Sequence, residues 1–415
     1  MKKIAIIGSG ISGLTAAYYL HDHYDICLYE ADDRLGGHTA TKKVTVNSQD
    51  YHIDTGFIVF NDWTYPNFIK LMHEIGVESQ PTDMGFSVFD PINHFEYAGT
   101  NLFTLFAQKR NLFSPKHWQM LRDIVRFNKQ SIVDLQNGNL EPNESLDNYL
   151  SRNHYSTAFI ERYLIPMGSA IWSATQGATL EFPVEFFIRF FKNHGLLNIV
   201  DRPQWRVIKG GSQSYIAPLI KKFSHKIKLN SPVIAITRQH CGVEITTPTG
   251  MEIYDEVILA CHSDQALKML SDATQEEKNI LGAIQYQQNA VVLHTDISLL
   301  PSRKLTWSSW NYLLQTEKLQ PPVLTYSMNI LQGLTSDTEF CVTLNATAKI
   351  DPQKILGQYE YAHPVFSKEA MQAQTQWSSI NGVNKTWFCG AYWFNGFHED
   401  GVNSALRVVK ELGAQ

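Results

Sequence analysis

Three glycines near the amino terminus, Gly8, Gly10 and Gly13, are spaced as G-x-G-x-x-G. They fall between the β-branched run Lys3 to Ile7 and a stretch, Leu14 to Leu20, that suits a helix. In that setting the first glycine permits a tight turn, the second lets backbone approach a pyrophosphate, and the third lets helix and strand pack closely. The intervening Ser9, Ile11 and Ser12 belong to the same turn, where a helix N-terminus offers unpaired N–H groups and partial positive charge to phosphates. A second apolar run, Ile26 to Tyr29, ends in Glu30, with Ala31 beside it. A carboxylate there accepts hydrogen bonds from ribose hydroxyls and repels a 2′-phosphate, which disfavours NADP. Strand, helix, strand and acid in this register predict a grip on the ADP half of a dinucleotide.

A second glycine-rich loop, Arg34-Leu35-Gly36-Gly37-His38-Thr39, follows at once and implies a longer cofactor, FAD rather than NAD. Further along stand Asp54-Thr55-Gly56-Phe57 and then Gly210-Gly211-Ser212, which precedes a helix leading to Val233. The chain closes with Trp387 to Tyr392, Gly396 to Gly401, and an apparent helix from Val402 to Leu412. In this order the motifs resemble those of the flavin amine oxidase superfamily. The resemblance implies an α/β, two-domain FAD-binding fold, Rossmann-like and of the flavin amine oxidase type, with a mixed-sheet and helical substrate domain. It also implies non-covalent FAD, with Thr55, Gly56 and Phe57 where backbone passes the isoalloxazine, and the backbone of Val233 paired with adenine. Gly390, Asp400, Gly401 and Val402 correspond to the closing FAD signature, where a helix N-terminus faces the charge that develops on reduction. Relatives usually carry an arginine where this chain has His38, and a neutral imidazole is a poorer counter-charge, so Arg34 is the expected phosphate partner. Cys389 lies near the signature without matching the usual attachment motif, so covalent linkage stays open.

Within the superfamily, Gly36 to Thr39, Thr55 to Asn61, Ala260 to Leu267, Trp307 to Tyr312 and Gly396 to Gly401 resemble one branch. It comprises bacterial FAD-binding proteins associated with cyclopropane-fatty-acid synthases and the amino-terminal flavoprotein domain of plant cyclopropane synthases. That branch implies an acyl-chain substrate, and composition does not show it. The expected activity is an FAD-dependent dehydrogenation or desaturation of a fatty acyl or lipid substrate by hydride transfer to flavin N5. Many amine-oxidising relatives place a lysine near N5. The stretch Val291 to Asp296 offers none, and His294 or Asp296 is the candidate proton acceptor there. Three alternatives stand beside this reading: a redox-neutral fatty-acid double-bond isomerase, an amine oxidase, and a non-catalytic FAD-binding partner of a lipid methyltransferase.

These motifs need a scaffold that returns repeatedly to one sheet. Residues 1–75, 205–285 and 375–415 are expected to build a discontinuous FAD-binding domain, and 76–204 and 286–374 a substrate-binding domain with a helical cap. Ile227 to Thr237 and Val243 to Thr247 look like hairpin strands, and Glu256 to Ala260 like a buried strand rejoining the first sheet. Pro115 to Leu135 and Ser145 to Ala174 carry helical spacing opened by caps at Ser114 and Ser145, and Asn289 to Leu344 supplies the second lobe's strands. The aromatic run Phe186 to Phe191, with Trp172, Trp205, Trp307 and Trp310, lines an apolar tunnel or fills ordinary core.

A length of 415 residues exceeds what one core usually supports. The formal charge of -5, with no long run of either sign, leaves no footprint for nucleic acid. Five scattered cysteines, Cys27, Cys241, Cys261, Cys341 and Cys389, argue against a disulfide framework or a metal site and point to a reducing cytoplasm. No apolar run reaches about 18 residues, so a spanning helix is not expected, while peripheral membrane contact stays open.

Overall fold

The computed structural model describes residues 1–315 and 320–414; residues 316–319, inside the Asn289 to Leu344 stretch, and residue 415 lie outside the described residues. A five-stranded parallel sheet runs in the order Ile227–Lys228, Asp25–Tyr29, Lys3–Ile7, Glu256–Leu259 and Thr386–Phe388. Its strands therefore come from distant parts of the chain. The central Lys3–Ile7 is flanked on both sides, and Ile4, Ala5 and Ile6 are fully buried, as a strand covered on both faces requires. Helix Ile11–Leu20 follows it and packs against the closing helix His398–Glu411.

A second, seven-stranded sheet runs Ile355–Pro364, Tyr286–His294, Cys341–Leu344, Val323–Ser327, Trp310–Leu313, Phe86–Asp90 and Phe95–Ala98. Its neighbours are antiparallel, except that Trp310–Leu313 and Phe86–Asp90 run parallel. The hairpin of Thr41–Val46 and Gln49–Asp54 contributes Ile53 to the core of this sheet, together with Val291, Leu293 and Val342. A helical layer surrounds a third core containing Phe127, Tyr149, Trp172, Phe187 and Phe191.

Three local expectations are revised. Ile227 to Thr237 is not one strand: Ile227–Lys228 joins the parallel sheet beside Leu28 and Tyr29. Ala235–Gln239 pairs instead with Gly242–Thr247 in a separate three-stranded sheet. Ser145 to Ala174 is broken into Leu146–Arg152, a short turn, the wide turn Ile160–Leu164 and Ile165–Trp172. Pro166 has no N–H to offer the carbonyl four residues earlier, on Arg162, and the Tyr97 hydroxyl donates to that oxygen instead at 2.7 Å. The closing helix begins at His398 rather than Val402, because the Asp400 carboxylate accepts from the Phe397 N–H at 2.8 Å and caps the first turn. Ser114 and Ser145 do cap their helices, accepting from the backbone of His117 and Asn148. The run Phe186 to Phe191 lies on helix Val184–Asn193, where buried Phe187 and Phe190 pack on Trp172 and buried Phe191 stacks on Phe187, so these rings read as core. No helix of the described residues is long and apolar enough to cross a membrane.

Candidate cofactor and substrate site

The glycine turn sits where the central parallel strand ends, the position at which open α/β sheets bind ligands. Gly8 has φ +102°, a conformation disfavoured for other residues, and its N–H is held by the Tyr29 carbonyl at 2.8 Å. A Cβ on Gly13 would lie 1.9 Å from the Gly8 carbonyl oxygen, so helix and turn can approach only with glycine there. A Cβ on Gly10 would meet nothing within 4 Å. Helix Ile11–Leu20 has no side-chain cap and no acid in its first turn, which leaves its N-terminal donors to an external anion.

Glu30 closes the second strand. Its carboxylate accepts from the Ser9 N–H at 2.9 Å, from the Ser9 hydroxyl, and from the Asp32 N–H at 3.0 Å. Ala31 is exposed next to it. Partly buried Val233 lies two residues past Ser231, whose N–H donates to the Glu30 carbonyl at 2.8 Å. The second glycine loop docks on the first through the Gly36 N–H, which donates to the Ser9 carbonyl at 3.1 Å. Arg34 places two of its donors inside its own loop, on the carbonyls of Gly37 at 2.8 Å and Thr39 at 3.1 Å, and so helps to shape that loop.

The remaining motifs converge on the same place. The Phe57 N–H donates to the His38 carbonyl at 2.8 Å, and the Phe57 ring stacks on His398 with centroids 3.5 Å apart. The buried Thr39 hydroxyl meets both the Tyr215 hydroxyl and His398 Nε2. Asp54 accepts from the Ser212 N–H at 2.9 Å and binds the Thr41 hydroxyl, so the Gly210-Gly211-Ser212 turn is tied to the Asp54 to Phe57 segment. Burial raises Asp54 to about 6 despite those donors. Gly390 is held by the Ser404 hydroxyl at 3.0 Å, and Gly401 packs on Ile11 and Ser12, which brings the amino ends of the two helices together. Val402 is fully buried behind them, and burial raises Asp400 to about 7.

Beside this crevice, the two sheets and the helical layer bring together a ring cluster. His38 lies 5.8 Å from His262, 5.2 Å from Tyr361 and 5.7 Å from His363, centroid to centroid, and His262 stacks on Tyr286 at 4.4 Å. His363 Nδ1 lies 3.3 Å from the Asn289 amide and 3.1 Å from the Ser173 hydroxyl. Tyr361 meets the Thr55 hydroxyl at 2.9 Å. Ser173 ends its helix at φ +52°, a left-handed conformation rare for serine and the sort of strain that collects at functional sites. Burial depresses all three histidines. His38 falls well below the ordinary range with help from its histidine neighbours, His262 falls, and His363 falls to about 4. Each is therefore a neutral ring near pH 7 with one donor and one acceptor nitrogen.

His294 and Asp296 are not part of this cluster. His294 is fully buried, with Nε2 2.7 Å from the Thr343 hydroxyl and Nδ1 accepting from the Asp296 N–H. It lies five residues along its strand from Asn289, about 16 Å at the usual rise. Asp296 accepts from the backbone of Ser298 and Asp351, and although burial opposes it, those N–H groups and Lys354 hold it at about 2. Both groups organise the far end of the strand. Sequence reasoning singled out His38 and passed through His262 inside Ala260 to Leu267, but missed Ser173, Tyr286, Asn289, Tyr361 and His363 as members of the cluster.

A cofactor with a pyrophosphate fits these residues. The room over Gly10, the uncapped helix and a buried His38 Nε2 without a hydrogen-bond partner are what such a group would fill. No group of three His, Cys, Asp or Glu among the described residues could hold a metal ion.

A parallel sheet bearing this turn, joined to a mixed sheet with a helical cover, defines the α/β flavin amine oxidase fold. The chain belongs to the family of flavin containing amine oxidoreductases, whose family model matches residues 11–327, and FAD is the cofactor typical of that family. It is 26% identical over 259 residues to an L-amino acid dehydrogenase of Synechocystis, covering 59% of this chain and 52% of that protein. The chain spans about half the length of the curated relatives it matches. Among solved structures it resembles putrescine oxidase bound to putrescine, with a TM-score of 0.69 and 15% identity over 100% of this chain and 99% of the other. It equally resembles a fatty acid isomerase from P. acnes that produces CLA, with a TM-score of 0.70 and 15% identity over 99% and 98%. At such identities the likeness concerns the fold.

Proposed function

We propose that this FAD-dependent oxidoreductase dehydrogenates or desaturates an aliphatic, acyl-chain substrate. The observation that carries the reading is the absence of charge from the ring cluster. None of His38, His262, His363, Tyr286 and Tyr361, nor the side chains bonded to them, Thr55, Asn289 and Ser173, supplies a carboxylate for a substrate ammonium or a lysine for amine chemistry. Rings and amides without a carboxylate in direct hydrogen-bond contact favour an uncharged chain, because an ammonium buried against them without a carboxylate partner would cost several kcal/mol.

FAD, when bound, supplies a two-electron acceptor. Gly8 to Gly13 and Glu30 would hold its ADP portion, and the backbone of Thr55 to Phe57 and the amino end of helix His398–Glu411 would face its ring system. The chain itself provides neutral imidazoles at His38, His262 and His363, each able to hold a proton at a ring nitrogen. Asn289 and Ser173 orient His363 through Nδ1.

Anaerobic mixing with long-chain fatty acids should bleach the visible flavin absorbance, while putrescine and L-amino acids should leave it unchanged. Bleaching by the amines alone would reverse the assignment. Product with a shifted double bond and no net electron transfer would identify the isomerase chemistry, which the likeness to the fatty acid isomerase keeps as the second reading.

A further inference from the structure

We infer that the surface built by residues 101–122 docks on the face of an anionic lipid bilayer. This rests on exposure and charge and is independent of the substrate assignment. Between Asn101 and Arg122 the chain carries Lys109, Arg110, Lys116 and Arg122 and not one Asp or Glu, although the whole protein has a net charge of -5. All four basic residues are exposed, and none of them has an acidic partner among the described ion pairs.

The same segment displays the most exposed phenylalanines of the described residues. Phe103 is 82% and Phe113 86% exposed, and Leu102, Leu112 and Trp118 are exposed beside them. One exposed leucine needs no explanation; five large apolar residues between Leu102 and Trp118, interleaved with unpaired cations, do. The segment is held by caps and side-chain contacts. Asn101 caps the turn Leu102–Leu105 by accepting from the Thr104 N–H, and Ser114 caps helix Pro115–Asn137. The Trp118 indole donates to the Leu112 carbonyl at 2.8 Å and packs on Phe106 at 5.1 Å, while Arg110 reaches the Asn93 carbonyl at 3.3 Å. Beneath it, Phe95, Tyr97 and Met120 form a buried core, so the exposed rings are not spare core residues turned outward.

Exposed aromatic and aliphatic side chains interleaved along the chain with lysine and arginine match the acyl boundary and the anionic headgroups of a bilayer. That complementarity of charge selects the membrane over a second copy of this chain, which would bring the same cations face to face.

The test is sedimentation of the full FAD-loaded chain with phosphatidylcholine vesicles, with and without phosphatidylglycerol. The wild type should pellet with the anionic vesicles and be released by salt. Phe103→Ser/Phe113→Ser should weaken partitioning at least about thirtyfold. Lys109→Gln/Lys116→Gln/Arg122→Gln should weaken it about fivefold for each charge and erase the preference for phosphatidylglycerol. Both variants should keep wild-type flavin content, which verifies folding. Equal binding to both vesicle types, no binding, or variants that bind like the wild type would overturn the proposal. So would a vesicle-independent dimer that Phe113→Ser dissolves.

Discussion

Replacing Gly10 by alanine separates the cost of the fold from the cost of the cofactor. Gly10 has φ -63° and ψ 176°, which an alanine adopts without strain, and the added methyl would touch no protein atom within 4 Å. The folded apo chain should therefore be unharmed, or gain about 0.4–1 kcal/mol from a less flexible unfolded state. If the turn grips a pyrophosphate, that methyl takes the space of the phosphate, and FAD affinity should fall at least a hundredfold, about 2.7 kcal/mol. Gly13→Ala is the contrasting case: its Cβ would stand 1.9 Å from the Gly8 oxygen, so the apo chain itself should be destabilised. Thermal unfolding of both apo variants, with titration of FAD by flavin fluorescence, reads the two costs separately. A Gly10→Ala protein that binds FAD like the wild type would refute the reasoning, and so would one that is already destabilised without it.

Gly401→Ala places a Cβ 2.6 Å from Ile11 Cγ2 and 3.0 Å from Ser12 Oγ, and should lower stability by about 1–3 kcal/mol in urea unfolding while weakening FAD binding. Cys389 is fully buried and its thiol is pushed up by burial, so acid precipitation should release all the flavin, with Cys389→Ser indistinguishable from the wild type. His398, depressed to about 3 by burial, and His363, depressed to about 4, take up protons in the unfolded chain below about 6.5 but not in the fold. Their contribution to apo stability is therefore lost as pH falls from about 6.5, by at most about 1.4 kcal/mol per pH unit for each histidine. Asp54 and Asp400, raised to about 6 and about 7, act in the opposite sense, and their contribution is lost as pH rises through those values. Replacing His398 by Asn should flatten the acid side of the stability profile, and an unchanged slope would contradict the account. Arg238, whose side chain is buried with Glu277, should cost about 3–5 kcal/mol when replaced by alanine, measured by urea unfolding.

The parts of the fold that were legible are those with local causes. The strand from Lys3, the turn at Gly8 and the strand ending at Glu30 each announce themselves within a few residues, and the apolar run from Glu256 is too buried in character for an edge. The break at Pro166 was also written locally, but its repair by Tyr97 depends on a strand far away in sequence. The ring cluster was the least legible part. His363 and Tyr361 alternate onto one face of their strand, and Asn289 meets them only through the register that pairs it with Tyr361. No spacing in the chain encodes that register. His294 drew attention as a histidine where relatives carry a lysine, yet its partners Thr343 and the Asp296 backbone belong to the far end of the same strand.

The most direct test is the uptake of FAD by the purified wild-type chain. The proposed function predicts a single flavin per chain, bound through the Gly8 to Gly13 turn and Glu30, giving a yellow protein whose colour is released quantitatively on denaturation. A correctly folded chain that stays colourless and takes up no FAD on reconstitution would contradict the account at its foundation.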